Sequence, residues 1–99
     1  MNVMMVRAKV SEENVAEVEA AARAMFSSIE RAKPQGVRYA ACRLPDGVSF
    51  LALLAVADAA DNPLLAVAEF GVFQESLKGW LAEPPTLEQL TVVGSYSLF

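Results

Sequence analysis

The side chains able to do chemistry are few and scattered. The sequence holds no histidine and one cysteine, Cys42. That removes His-based triads, Cys–His nucleophiles and the usual zinc and iron ligand sets. Cys42 would act as a nucleophile only if its surroundings lowered its pKa. Flanked by Ala40, Ala41 and Leu44, it reads instead as a small core residue. Asp58, Asp61 and Asn62 match no carboxylate loop for Mg²⁺ or Ca²⁺ and read as the polar entry to a helix. The five glycines form no phosphate-cradling loop.

Two other groups of residues could bind a ligand. Arg7 and Lys9 alternate on one strand, with Arg38 as a possible companion from another. They could form an anion site, or ion pairs across a subunit interface. Tyr39, Trp80, Tyr96, Phe70 and Phe73 could line an aromatic pocket. Phe70, Phe73, Leu77 and Trp80 also follow helical spacing, which plain core packing gives. The polar tips of Tyr39, Trp80 and Tyr96 make these three the better pocket candidates.

Regular elements must position those residues. Asn2 to Val10 predicts a strand, with Asn2, Met4, Val6, Ala8 and Val10 on one face and Val3, Met5, Arg7 and Lys9 on the other. Ser11 is placed to cap a helix whose first turn carries Glu12 and Glu13. Val15, Val18, Ala22, Met25, Phe26 and Ile29 give that helix one apolar stripe, and Pro34 and Gly36 end it. Val37 to Leu44 and Val48 to Val56 predict a hairpin about Pro45-Asp46-Gly47. Asp61 or Asn62, then Pro63, opens a second helix with Leu64, Val67, Phe70, Phe73, Leu77, Trp80 and Leu81 on its buried side. Pro84-Pro85 stops it. Leu90 to Phe99 predicts a last strand. The order is βαββαβ in one α+β domain over residues 1–99.

Composition bounds the partners. The chain has 99 residues, is 55% hydrophobic and carries a net charge of −4. Without a clustered Lys/Arg surface, neither nucleic acid nor an anionic membrane is an expected partner. The opening MNVMMVRAKV is too short and too soon charged for a signal peptide. Val48 to Ala57 is far short of a membrane span, so the expected location is the cytoplasm. Val48 to Val56 is apolar on both faces, with Leu51, Leu53 and Ala55 opposite Phe50, Ala52 and Leu54. Two helices cover only one face of a four-stranded sheet. A second copy of the chain is therefore expected on the other, in a homodimer.

The strand-one start, a helix of about twenty residues, the Pro-Asp-Gly hairpin, the segment FGVFQESLKGW and the closing LTVVGSYSLF resemble the dimeric α+β barrel superfamily. Within it they resemble the antibiotic-biosynthesis-monooxygenase-like group. The resemblance covers nearly the whole chain. It implies a ferredoxin-like βαββαβ subunit with a four-stranded antiparallel sheet, two subunits sharing a barrel. It also implies a pocket for a small phenol or quinol, oxidised in some members by molecular oxygen without a cofactor. The missing histidine disfavours the haem-degrading branch. Asn62 opens the second helix, but Ala66 stands where an oxygenase pattern would want Trp, so no catalytic residue carries over. Ligand contacts are expected from Tyr39, Trp80, Tyr96 and Arg7, with a small aromatic or anionic ligand and no metal. The alternative is a non-catalytic dimer that binds a small molecule or serves as an interaction module.

Overall fold

In the computed structural model, which describes residues 1–58 and 60–99, four strands form one antiparallel sheet. The strands are β1 (Asn2–Lys9), β2 (Val37–Arg43), β3 (Ser49–Val56) and β4 (Thr86–Leu90), in the order β2-β3-β1-β4. Helix α1 (Val15–Ala32) joins β1 to β2, and α2 (Ala68–Lys78) joins β3 to β4. This is the ferredoxin-like arrangement. β1 is central, hydrogen-bonded to β3 on one side and β4 on the other.

The alternation in β1 and β3 sorts by face but only in part by burial: Val3 and Ala55, paired on the face away from the helices, are buried, while Met4 on the helix face is 39% exposed. Met4, Val6, Ala8, Phe50, Ala52 and Leu54 lie beneath the helices, where Val18, Phe70 and Phe73 face them. Met25, Leu64, Val3, Val10 and Val18 are the largest fully buried side chains. The ends of α1 follow local chemistry. A 3-10 turn over Glu12–Asn14 precedes it, with Ser11 at its start. The Ser11 hydroxyl makes no capping bond; its backbone oxygen accepts from the Asn14 N–H at 2.8 Å instead. Lys33 takes the left-handed conformation at φ 48° and closes the helix by donating its N–H to the Ile29 oxygen.

The hairpin turn is built by Asp46. Its Oδ1 accepts from the Val48 and Ser49 N–H groups at 3.0 and 2.8 Å, and its Oδ2 from the Ser49 hydroxyl at 2.6 Å. Gly47 sits at φ 81°, the left-handed region that glycine enters without a Cβ penalty.

Three expectations need correction. The second helix does not run unbroken from Pro63. Asn62 caps a 3-10 turn over Pro63–Ala66, Val67 is extended, and α2 begins at Ala68. Leu64 and Val67, on either side of the break's start, are both buried. The last strand is Thr86–Leu90, not Leu90–Phe99. Its ladder pairs Val3 with Leu90 and Arg7 with Thr86. The ladder ends where Leu90 meets Val3, and residues 91–99 form no strand. Finally, Cys42 is exposed on edge strand β2 rather than in the core.

Candidate functional site

The β-sheet and the two helices enclose an apolar cavity of about 200 Å³. Its floor is Met4, Val6, Ala52 and Leu54; its walls are Tyr39 from β2 and Phe70, Phe73 and Leu77 from α2. The strand period fixes the floor, since every second residue of β1 and β3 points at the helices. The helical period fixes one wall, since Phe70, Phe73 and Leu77 recur at three and four. The small side chains Ala8, Ala22, Ala41 and Ala52 line the same space. They leave the volume that larger residues would fill.

Two lining residues can hydrogen-bond, Tyr39 and Gln74. The Tyr39 ring stacks on Phe26 with centroids 5.1 Å apart and planes 22° from parallel. It meets Phe70 edge-on at 5.9 Å and 74°. These offset and edge contacts hold the ring in one orientation. Burial raises the Tyr39 phenol above its ordinary value, so it stays protonated at neutral pH. It can donate a hydrogen bond but cannot serve as a base. Among the described residues no charged side chain lines the cavity.

The structure does not bring the four expected ligand residues together. Tyr39 alone lines the cavity. Trp80 is half-buried at the end of α2, where its carbonyl accepts the Ser11 N–H at 3.0 Å and ties the helix to the exit of β1. Tyr96 lies in the tail beyond β4 and is 94% exposed. Arg7 lies on the other face of the sheet, in a polar cleft with Lys9, Asp46, Ser49, Glu83 and Thr86. Two carboxylates there offset the two cations, so an anion meets no net positive field. Arg38 does not join them. It pairs with Ala55 while Arg7 pairs with Leu51, four residues away along β3 and so about 13 Å. Gly71 neither admits a close contact nor lines the cavity: a Cβ built there meets nothing within 4 Å.

Gln74 was missed in the sequence because it interrupts the apolar spacing of α2 and reads as a surface residue. Only the helix's placement shows that it overhangs the cavity. Among the described residues no group of three or more His, Cys, Asp or Glu side chains is placed to hold a metal ion. No helix among them is long and apolar enough to cross a membrane.

The sequence matches no family model and no curated protein. Solved structures match it along nearly its full length. A candidate antibiotic biosynthesis monooxygenase from Nitrosomonas europaea superposes with a TM-score of 0.78 at 20% identity, covering 95% of this chain and 100% of that one. A variant of SnoaB, a cofactor-independent oxygenase from Streptomyces nogalater, gives 0.71 at 19% identity, covering 97% and 96%. Rv0793 from Mycobacterium tuberculosis gives 0.67 at 16%, covering 97% and 98%. Element order, sheet order and these superpositions together give the chain the ferredoxin-like α+β fold of the antibiotic-biosynthesis-monooxygenase-like proteins.

Proposed function

We propose that the protein is a homodimer that binds a small phenol- or quinol-type molecule in the helix–sheet cavity of each subunit. There it oxidises the molecule with O₂ and no cofactor. The observation that carries this reading is the cavity itself. An apolar cavity of about 150 Å³ holds benzene, so about 200 Å³ suits one ring or a small fused pair. Tyr39 and Gln74 can orient a ring hydroxyl by hydrogen bonds while Phe70 and Phe73 face the ring.

In this reading the substrate is its own reductant. An ionised phenol whose keto tautomer carries a CH₂ passes one electron to O₂. The radical and superoxide join as a peroxide anion on that carbon, which takes back the proton lost on ionisation, and loss of water leaves a carbonyl. One oxygen atom ends in the product and the other in water. The protein excludes solvent, holds the ring, and donates the Tyr39 O–H to the substrate oxygen. With no base and no cation in the lining, the substrate ionises by its own acidity. The rate should therefore rise with pH through the substrate's pKa.

A second reading, a dimer that binds the ligand without turning it over, is favoured by that same absence of a base. Oxygen uptake with a panel of one- and two-ring quinols separates them. Uptake above the autoxidation rate, abolished when Ala52→Phe fills the cavity, supports the enzyme. Saturable binding without uptake supports the binder.

The dimer is supported by apolar surface. Leu53 and Met5 are only half-buried, on the face away from the helices, and Val93 in the tail is 99% exposed. Burying a side chain of this size contributes about 1.5–3 kcal/mol. That face also carries Arg38 on one edge strand and Glu88 on the other, neither in an ion pair among the described residues. A twofold axis along the strands sets β2 of one subunit over β4 of the next. Arg38 then approaches Glu88 of the partner subunit.

A further inference from the structure

Met4 and Leu54, on the floor of the aromatic cavity, also border a neighbouring one. This second cavity, of about 250 Å³, is completed by Asn2, Val3, Val56, Asn62 and Gln89. Three of its lining residues are primary amides. Gln89 pairs with Met4 across the β1–β4 ladder, and Asn2 stands two residues before Met4. Both amides therefore share the helix-side face of the sheet. Asn62 enters from the turn ahead of the 3-10 segment. Its Oδ1 accepts the Leu64 N–H at 3.0 Å, leaving its Nδ2 free to donate outward.

Among the described residues the side chains of Asn2 and Gln89 bond to no other protein group. Among the described residues no charged one lines either cavity. A primary amide donates and accepts, so it matches hydroxyl, carbonyl and carboxamide groups. It offers a carboxylate no countercharge.

We infer that the two cavities form one bipartite site for an elongated neutral molecule. Its aromatic end lies against Tyr39, Phe70 and Phe73. Its far end carries a hydroxyl, carbonyl or carboxamide held by the amides of Asn2 and Gln89. The inference rests on the aromatic-pocket reading and adds the identity of the ligand's other end. Met4 and Leu54 form the waist between the two halves, so the ligand is flat there.

Calorimetric titration of the full chain with three ligands tests this: 2-naphthol, 6-hydroxy-2-naphthamide, and 6-hydroxy-2-naphthoate, at a pH where the naphthol hydroxyls are neutral. The carboxamide should bind about tenfold more tightly than 2-naphthol, the yield of two neutral hydrogen bonds. The carboxylate should gain nothing. Asn2→Ala combined with Gln89→Ala should erase the gain and leave 2-naphthol binding unchanged. Gln89→Leu, which keeps the volume, should erase part of it, and unfolding curves confirm that each variant folds. Equal affinity for 2-naphthol and the carboxamide, a gain that survives the double variant, or a preference for the carboxylate would each overturn the second half of the site alone. Failure of all three to bind would overturn the aromatic pocket itself, and the bipartite site with it.

Discussion

Tyr39→Phe separates a binding role from a packing role. The substitution removes one oxygen and keeps the ring, so the stack on Phe26 at 5.1 Å and the edge contact with Phe70 at 5.9 Å survive. The Tyr39 hydroxyl bonds to no protein group among the described residues. Stability should therefore move by less than about 0.5 kcal/mol, as for a substitution that leaves nothing unpaired. Ligand affinity should move more, and by an amount that depends on pH. Against a neutral phenol the lost bond contributes about 0.5–1.5 kcal/mol, or roughly 2- to 13-fold in Kd. Against a phenolate it is charge-assisted, at about 1.5–3 kcal/mol, or roughly 13- to 160-fold. Burial raises the Tyr39 phenol, so with a phenol more acidic than an ordinary tyrosine the donor is still present where the ligand has ionised. The assay is a pair of titrations with one phenol, below and above its pKa, beside urea unfolding of both proteins. A variant that loses stability and binds unchanged at both pH values would show that Tyr39 is a packing residue.

Three other perturbations have definite outcomes. Gly71→Ala should stabilise the protein by up to about 1 kcal/mol in urea unfolding, because the site is helical, exposed and sterically open, and ligand affinity should not change. Arg38→Glu or Glu88→Arg should weaken the dimer in native mass spectra, and the two together should restore it. A dimer indifferent to both single changes would rule out the strand-parallel axis. The Asp46 carboxyl is held below its ordinary range by bonds from the Ser49 hydroxyl and the Ser49 and Val48 N–H groups. Its folded pKa is thus lower than its unfolded one, so its contribution is present above the unfolded value, about 3.9, and is lost as pH falls through the folded one. Asp46→Asn should be less stable than the parent at pH 6 and converge on it near the foot of an acid titration followed by circular dichroism.

The fold was legible because its signals are local. The alternation Met4-Val6-Ala8, the stripe Val18-Ala22-Met25 and the Pro45-Asp46-Gly47 turn each specify an element from a few neighbouring residues. The second helix and the last strand were misplaced for opposite reasons. Leu64 and Val67 fit one continuous helix by spacing, and the extended Val67 that separates the 3-10 turn from α2 leaves no trace in that spacing. Thr86–Leu90 reads as polar because it is an edge strand, while the tail beyond it has the stronger β-propensity and forms no strand. Of the candidate site, Tyr39 was singled out for its polar tip, a reason that applied equally to Trp80 and Tyr96, which do not line the cavity. Gln74 and the amides of Asn2 and Gln89 were not singled out. Each is an ordinary polar residue that acquires meaning only from what stands opposite it. The setting of Arg7 was hidden for the same reason, since Asp46 and Glu83 are distant in sequence and share its cleft.

On the proposed function, the space between the helices and the sheet receives a small aromatic molecule. Chemical-shift mapping of the isotope-labelled protein during a 2-naphthol titration tests it most directly. The largest saturable shifts should fall on Tyr39, Ala52, Phe70 and Phe73, which line one cavity from three separate elements. Shifts confined to the exposed tail around Val93 and Tyr96, or none at all, would contradict it.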